Sequence, residues 1–419
     1  MIGRPLGTIC ALRGSVAEAE LPRARVGDGV RICARDAVVG ARVAALHGSR
    51  VVLTPFGSFD GVAAGDRVES DPAVLALPLG TMLLGRAVDA VGVPLDRMPP
   101  PRGASVAVTG AAHAVADRRP CVAVCWTGVR AIDGPLALGR GARVGVFGPP
   151  GAGKSSLIDA VVRGTGADAV VVGLIGERGR EAERRLARLD DRTTIVCATS
   201  DRAPAERVRA AEVAFAQADA LRARGLHVLL VVDSLARVCA AARELASSAG
   251  EPVGRAGFPP SVFGLLARLL ERAGAVGSGS VTLVATVLSD GPDEHDPVSE
   301  AARAALDGHL VLSERLARRG HFPAIDLVRS TSRTLVEVAS EQHRRAAGVL
   351  RAALAALDES ADARALGLPV ADPFLARCVM AEDRIAAFLR QDAGEPSDPG
   401  RTLTELMALA DTLDDGRLR

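Results

Sequence analysis

The stretch Gly148-Pro-Pro-Gly-Ala-Gly-Lys-Ser-Ser156 fits the pattern G-x-x-x-x-G-K-[ST], which is typical of a phosphate-binding loop. Its glycines allow the backbone to curl so that successive N–H groups point inward and form a nest for an anion. The apolar run Arg143–Phe147 before it predicts a buried strand, and the run Lys154–Val162 after it predicts a helix. The N-terminal end of that helix is then available to a phosphate group.

Lys154 is the only lysine among the 51 lysine and arginine residues of the chain, which also has no tyrosine and no asparagine. These three residues have A/T-rich codons, so a G+C-rich genome accounts for their loss. A lysine is retained in the loop because a planar guanidinium does not replace a compact ammonium group placed between two phosphates. We therefore expect Lys154 to contact the β- and γ-phosphates and the Ser155 hydroxyl to bind Mg²⁺.

The whole loop is assigned to binding of a nucleotide, expected to be ATP. The assigned residues are Gly148, Pro149, Pro150, Gly151, Ala152, Gly153, Lys154, Ser155 and Ser156.

Length and composition predict two or three folded domains, because 419 residues exceed one typical domain and 48% are hydrophobic. A net charge of +1 argues against a chain-wide basic surface for nucleic acid. No apolar run approaches about 18 residues and no N-terminal signal is present, so neither a membrane span nor secretion is expected. The seven cysteines are an odd number, which disfavours a framework of disulfides. Cys121 and Cys125 have no second Cys/His pair that would complete a zinc site, so we expect free thiols in a reducing cytoplasm.

Four segments differ in pattern. Residues 1–85 alternate valine and glycine and predict a small antiparallel β-barrel. Residues 86–120 are rich in proline and glycine and predict a linker. Residues 121–336 alternate apolar strands with helical patterns, which indicates a mostly parallel sheet covered by helices on both faces. Residues 337–419 predict a C-terminal helical domain, so the fold class is α/β with an added barrel and helices.

The periodicity predicts the following elements. Strands are expected at Ala169–Leu174, Thr193–Ala198, Val228–Val232 and Val281–Val287. Helices are expected at Arg178–Leu189, Ala203–Arg224, Ser261–Ala273, 340–358, 372–391 and 402–414.

Acidic residues follow two of these strands. Asp233 ends an apolar strand about 80 residues after the loop, where a carboxylate would hold Mg²⁺ or its water. The charged run 176–181 follows the strand that begins at Ala169, at the edge of the sheet where ligands bind. One of its carboxylates could polarise an attacking water, and a charged helix start is the equal alternative. The polar turn 329–333 carries no functional signal by itself.

Several further runs resemble the type III secretion and flagellar export ATPases, which are relatives of the catalytic subunit of rotary F- and V-type ATPases. The resemblance spans nearly the whole chain and implies that residues 121–336 form a RecA-like P-loop ATPase domain. The runs are VVDSLAR, ARELA, GEPVGRAGFPPSVF and LLARLLERAG within Val228–Gly274, LIGERGRE at 174–181, LDGHLVLS at 306–313, TGVRAID at 127–133, GHFPAID at 320–326, and LGR at 84–86 with PLD at 94–96.

The resemblance assigns roles to four residues outside the loop. Glu177 matches the catalytic glutamate that orients the attacking water, and Arg178 matches a contact to the γ-phosphate. Glu181 matches a residue that orders water around Mg²⁺, and Asp233 matches the acid on the Mg²⁺ side.

Two more residues receive roles in the same way. Arg333 matches the arginine finger, which reaches into a neighbouring subunit's site and stabilises charge in the transition state. Phe322 stands where relatives place an aromatic ring, usually tyrosine, against adenine. His295 replaces an asparagine of the family pattern, and we ascribe both replacements to codon composition.

The resemblance also implies partners and location. It implies a homo-oligomeric ring, usually a hexamer, with ATP at the subunit interfaces. It further implies a stator-like regulator, a stalk protein, export chaperones and export substrates. The protein is then expected in the cytoplasm, as a peripheral component at the inner face of the cytoplasmic membrane. The barrel is expected to begin within the first ten residues, whereas relatives often carry a helical stretch ahead of it that binds the regulator.

Three other functions remain as alternatives. A catalytic subunit of an F- or V-type ATPase would belong to a hetero-ring, and a chain carrying both Glu177 and Arg333 favours a homomeric ring. A non-catalytic nucleotide-binding subunit usually lacks the catalytic glutamate, which is present here. An RNA translocase would need a basic, aromatic barrel surface, whereas aromatic residues are 2% of the chain and we expect no nucleic-acid partner.

Overall fold

The computed structural model describes residues 6–110, 113–288 and 296–414. The first six strands close into an antiparallel barrel in the order β1-β2-β5-β4-β3-β6. Alternate residues such as Val30, Ile32 and Leu53 point inward and are fully buried. The strands are β1 (Leu6–Arg13), β2 (Val16–Glu20), β3 (Gly29–Cys33), β4 (Val38–His47), β5 (Arg50–Pro55) and β6 (Arg67–Ser70).

The remaining strands belong to a small two-stranded sheet, β7 with β9, and to the central sheet. They are β7 (Ala76–Pro78), β8 (Arg86–Val88), β9 (Ser105–Ala107), β10 (Arg118–Arg119), β11 (Arg143–Gly148), β12 (Ala169–Ile175), β13 (Thr193–Ala198), β14 (His227–Asp233), β15 (Gly274–Val276), β16 (Gly279–Leu288), β17 (Gly308–Val311) and β18 (Thr331–Ser332).

Helices surround this sheet and form the C-terminal part. They are α1 (Arg130–Asp133), α2 (Lys154–Gly164), α3 (Gly179–Leu186), α4 (Pro204–Arg222), α5 (Leu235–Ser248), α6 (Pro260–Leu270), α7 (Pro297–Ala305), α8 (Glu314–Arg318), α9 (Leu335–Val338), α10 (Glu341–Glu359), α11 (Ala361–Ala365), α12 (Pro373–Met380), α13 (Glu382–Leu389) and α14 (Pro399–Leu413). Short 3₁₀ turns lie at Pro72–Leu75, Thr81–Leu83, Val115–Asp117 and Arg255–Gly257. In the described parts of the chain, none of the helices has both the length and the apolar character that crossing a bilayer requires.

The central sheet is mostly parallel, with strand order β18-β17-β11-β16-β14-β12-β13-β8. The strand β12 is apolar at every position because its two faces are buried in two different cores. Val170, Val172 and Leu174 pack into a core with α2 and the C-terminal helices, whereas Val171 and Ile175 pack into a second core with α4, α5 and α6. Both faces of the sheet are therefore covered, and the predicted fold class is confirmed.

Residues 86–120, predicted as a linker or transition segment, include the short strands β8, β9 and β10. The strand β8 pairs in parallel with β13, with Arg86 opposite Thr194, and extends the sheet at its edge. Arg86 also forms an ion pair of 2.7 Å with Asp96. Burial raises the pKa of Asp96, but hydrogen bonds from Arg86, Ala87 and Met98 outweigh it and hold that pKa at about 2. The strand has three residues, too few for a periodic pattern.

The C-terminal helices pack around α10 and α14, where Leu350, Leu406 and Leu413 are fully buried. The predicted helix 372–391 is two helices, because the chain turns at Ala381 between α12 and α13. A hydrogen bond of 2.8 Å from the Arg130 amide to the Gln391 side chain joins this domain to the central one.

Candidate functional site

The loop between β11 and α2 lies at the carboxyl end of the sheet. Gly151 and Gly153 have φ of 83° and 96°, a left-handed conformation that favours glycine, and Gly153 caps α2. The Lys154 ammonium donates hydrogen bonds to the carbonyl oxygens of Gly148 and Pro149, at 2.7 and 2.8 Å. The Lys154 ammonium therefore lies against the loop that is expected to bind the phosphates.

A cleft of about 450 Å³ opens beside this loop, at the ends of β11, β12, β14 and β16. It brings together ten of the fifteen site residues that the sequence predicted. Its lining includes Pro150, Gly151, Gly153, Lys154, Ser155, Ser156, Glu177, Arg178, Glu181 and Asp233. Parallel strands place their carboxyl ends on the same edge, so residues far apart in sequence meet here.

Glu177 is the buried acid of the cleft, with 6% of its surface exposed. Burial, the nearby Asp233 and a hydrogen bond with Glu181 raise the pKa of Glu177 to about 8, against an opposing effect of Arg237. The Arg237 guanidinium lies 3.4 Å from the Glu177 carboxylate and donates a hydrogen bond to the Gly176 carbonyl. Glu177 is thus a polar group held in a fixed position, as a residue that orients water must be.

Asp233 ends β14 and is 7% exposed. Its carboxylate accepts a hydrogen bond of 2.6 Å from the Thr286 hydroxyl on the adjacent strand β16. The Arg185 guanidinium lies 3.8 Å from the other carboxylate oxygen. The acid is therefore oriented by the sheet on one side and by α3 on the other.

The residues on this side of the cleft fit a magnesium ion. Ser155, Glu181 and Asp233 offer oxygen atoms only, which is the donor type that Mg²⁺ prefers. Within the described segments, no cluster of three or more His, Cys, Asp or Glu residues is arranged to hold a metal by itself. Mg²⁺ usually keeps several waters and binds through one or two protein groups together with substrate phosphates.

Phe322 lies beside the loop in an adjoining cavity of about 320 Å³. Its ring approaches Gly153, 3.6 Å from the position of a β-carbon built there. The other wall comes from the C-terminal helical domain, where Gln391 donates from its backbone to the Phe322 carbonyl at 2.9 Å. The ring is 45% exposed. A partly exposed aromatic ring above an apolar cavity suits a stacked base.

Arg333 lies outside this cleft. It follows the edge strand β18, its side chain is exposed, and its amide donates a hydrogen bond of 2.9 Å to the Asp307 carbonyl. Asp307 is bonded to Arg143 at the start of β11, whereas the loop begins at the other end of that strand. His295 lies outside the described residues.

Four side chains of the site were not predicted from the sequence: Arg185, Arg237, Thr286 and Gln391. Arg237 could have been found, because it lies one helical turn after Asp233 on α5 and so faces the same edge of the sheet. The other three have no local signal, since the site residues they contact, Asp233 for both Arg185 and Thr286, and Phe322 for Gln391, are 48 or more residues away along the chain.

The fold and the cleft together define a P-loop nucleotide hydrolase: a parallel sheet with a glycine-rich loop, a lysine and two acids at its carboxyl edge. Residues 128–332 match the model of the ATP synthase alpha/beta family, nucleotide-binding domain. Residues 339–408 match the T3SS EscN ATPase C-terminal domain.

Relatives from both secretion branches are similar to the chain. A type 3 secretion system ATPase of Pseudomonas savastanoi pv. phaseolicola is 41% identical and covers 98% of this chain and 95% of its own. A flagellum-specific ATP synthase of Salmonella typhimurium is 40% identical and covers 86% of this chain and 83% of its own. The assembled ATPase EscN of enteropathogenic E. coli superposes with a TM-score of 0.91 at 35% identity, covering 96% of this chain and 100% of that chain.

The chain belongs to the family of type III secretion and flagellar export ATPases. It is an ATP hydrolase of that family. These matches confirm the resemblance found in the sequence and favour it over the alternative of a rotary F- or V-type subunit.

Proposed function

We propose that the chain hydrolyses Mg-ATP at sites shared between neighbouring copies in a homo-oligomeric ring, and that hydrolysis drives protein export. The observation that carries the proposal is the cleft, which gathers Lys154, Ser155, Glu177 and Asp233 at one edge of the sheet. These are the groups that phosphoryl transfer to water requires: a phosphate cradle, an acid for the water and oxygen ligands for a cation.

The loop amides and Lys154 bind the phosphates, so the γ-phosphate is directed toward Glu177. The attacking water is oriented by the Glu177 carboxylate. Its oxygen forms a bond to the γ-phosphorus while the bond to the bridging oxygen of ADP breaks. Ser155, Asp233 and Glu181 would hold Mg²⁺ on this side of the cleft, and the ion would neutralise charge on the phosphate oxygens.

Positive charge from two arginines completes the site. Arg178 lines the cleft and is exposed toward it. Arg333 is exposed at the opposite end of the strand that leads to the loop, so its own chain's cleft is out of reach and a neighbouring copy is the recipient. Both guanidinium groups would stabilise the charge of the transition state.

Adenine would stack on Phe322 in the adjoining cavity. The cavity is lined by Gly153 and Leu157 from the central domain and by Asp392 and Ala393 from the helical domain. Nucleotide binding would therefore connect the two domains.

The ring and its partners follow from the family. EscN is described as an assembled ATPase and also in complex with its central stalk EscO, a structure that superposes on this chain with a TM-score of 0.88. We propose a hexameric ring, a stalk protein in its centre and a stator-like regulator. Export chaperones and substrates would then be released and unfolded at the inner face of the cytoplasmic membrane.

Replacing the acid by its amide tests the hydrolytic half. Glu177→Gln is expected to bind a fluorescent ATP analogue as the parent does and to lose about 100-fold or more of its turnover. Glu183→Gln is the matched control, because Glu183 lies on the same helix α3 and is exposed. Full turnover in Glu177→Gln would overturn the assignment.

A further inference from the structure

The guanidinium of Arg185 lies next to the cleft, beside Ser155 and Asp233. It is 11% exposed, lies 3.0 Å from Asp159 and 3.8 Å from Asp233, and donates to the Ser155 carbonyl at 3.4 Å. One side chain thus contacts the start of α2, a later turn of α2 and the end of β14. It also lines, with Ser155 and Glu181, a small cavity of about 70 Å³ next to the cleft.

We propose that Arg185 is a positioning residue that serves as an internal counter-charge for the magnesium side of the site. It holds Ser155 and Asp233 together when no cation is bound, and it raises the Mg²⁺ concentration that nucleotide binding requires. The inference rests on the proposed Mg-ATP function, and it adds that Arg185 sets the Mg²⁺ concentration at which the site binds the ion.

The charges around Arg185 support this role. A largely buried guanidinium is stable only when nearby acids compensate it. Asp159 is shared between Arg185 at 3.0 Å and Arg188 at 2.8 Å. It therefore compensates Arg185 only in part, and Asp233 is the second acid beside that guanidinium. Asp233 otherwise faces the buried Glu177, whose pKa it raises.

A divalent cation beside Ser155 and Asp233 would meet Arg185 at close range. Like charges repel with an energy that falls only as the inverse of distance, and a partly buried site screens them less than water does. Arg185 must therefore retract from Asp233 or raise the free energy of the bound cation. A neutral side chain at this position removes that opposition.

A purely structural role predicts something else. If Arg185 only braced α3 against α2, its loss would lower the thermal stability of the protein and leave the requirement for Mg²⁺ unchanged. The two roles separate in a measurement of metal dependence that involves no turnover.

The experiment titrates the full-length protein with Mg²⁺ at a fixed concentration of a fluorescent ADP analogue and records the Mg²⁺ midpoint of the fluorescence change. Arg185→Gln is expected to lower the midpoint by roughly three- to tenfold. Arg188→Gln is the matched control: it removes the same charge from the same partner Asp159, but its side chain is 58% exposed and we expect no change. Arg185→Lys keeps the charge and is expected to stay near the parent midpoint.

Arg185→Met preserves the aliphatic part of the side chain and replaces Arg185→Gln if that variant does not fold. If the neutral Arg185 variant and the parent had the same Mg²⁺ midpoint, the proposal that Arg185 acts as a counter-charge would be overturned. If instead the parent bound no nucleotide at any Mg²⁺ concentration, the proposed function itself would fail.

Discussion

Lys154 and Arg333 lie at opposite ends of the same strand of the central sheet. The Lys154 ammonium is bonded to Gly148, where β11 ends, and Arg333 is bonded to Asp307, which pairs with Arg143 where β11 begins. Six residues of strand separate the two ends, a distance of roughly 16 Å at about 3.3 Å per residue. The strand separates the two groups within one copy, so we propose that the Arg333 of each site comes from a neighbouring copy.

The only lysine of the chain should not tolerate the replacement that the rest of the sequence has accepted. Lys154→Arg is expected to reduce ATP turnover by about 100-fold or more, because the planar guanidinium does not fit where Lys154 contacts two loop carbonyls. Steady-state phosphate release measures this. The reverse exchange Arg163→Lys, at the exposed far end of α2, serves as the control and should leave turnover unchanged. A Lys154→Arg enzyme with parental turnover would contradict the assignment of the loop.

The protonation of Glu177 should be visible in the pH dependence of hydrolysis. The raised pKa of about 8 means that the free enzyme gains the carboxylate only as the pH rises. The ratio kcat/KM is expected to increase about tenfold per pH unit below pH 8 and to level off above it. Arg237 lowers the pKa of Glu177, so Arg237→Gln should move the inflection to higher pH. A pH-independent kcat/KM between about pH 6 and about pH 9 would exclude Glu177 as the titrating group.

The same acid should destabilise the nucleotide-free protein at high pH. Because the pKa of Glu177 lies above its usual 4.5, the stabilisation from the protonated carboxyl is complete below that value and is lost as the pH rises through about 8. Glu177→Gln stays neutral, so its Tm is expected to exceed the parental Tm above pH 8 by about 1–3 °C. Differential scanning calorimetry at low and high pH gives the comparison, with Glu183→Gln as the exposed control. A difference in Tm that did not grow with pH would refute this cause.

The ring of Phe322 should contribute to nucleotide affinity rather than to the chemical step. Phe322→Ala is expected to weaken binding of a fluorescent ADP analogue by about five- to thirtyfold, the effect of losing one stacked base. Phe322→Tyr keeps the ring beside Gly153 and should retain affinity. If the alanine variant bound nucleotide as tightly as the parent, adenine would have to lie elsewhere.

The sequence predicted those parts of the site that depend on local pattern. An apolar strand followed by a glycine-rich turn and a helix defined the loop, and Asp233 was recognised because an acid ended a buried strand. The barrel and the parallel sheet followed from the period of the apolar residues. The helix predicted at 372–391 is broken at Ala381, where neither glycine nor proline marks the turn.

Other parts depend on contacts between distant segments. The pairing of Arg185 with Asp233 and the hydrogen bond from Thr286 to Asp233 exist only once α3 and β16 have packed against β14. The three-residue strand β8 is held by pairing with β13 rather than by its own sequence. Arg333 lies in a polar turn without local signal, and only the family resemblance gave it a role.

The central claim is that each site combines Lys154 of one copy with Arg333 of the next, and mixed rings test it most directly. Lys154→Ala and Arg333→Ala proteins, each inactive alone, are combined at varied ratios under conditions of subunit exchange. A mixture of the parent with the double variant Lys154→Ala/Arg333→Ala verifies exchange, because at an equal ratio exchange lowers turnover from about a half to about a quarter of the parental value. Random assembly restores about one site in four at an equal ratio, so turnover should peak there at about a quarter of the parental value. Absence of recovered turnover at every ratio, with exchange verified, would contradict the shared site.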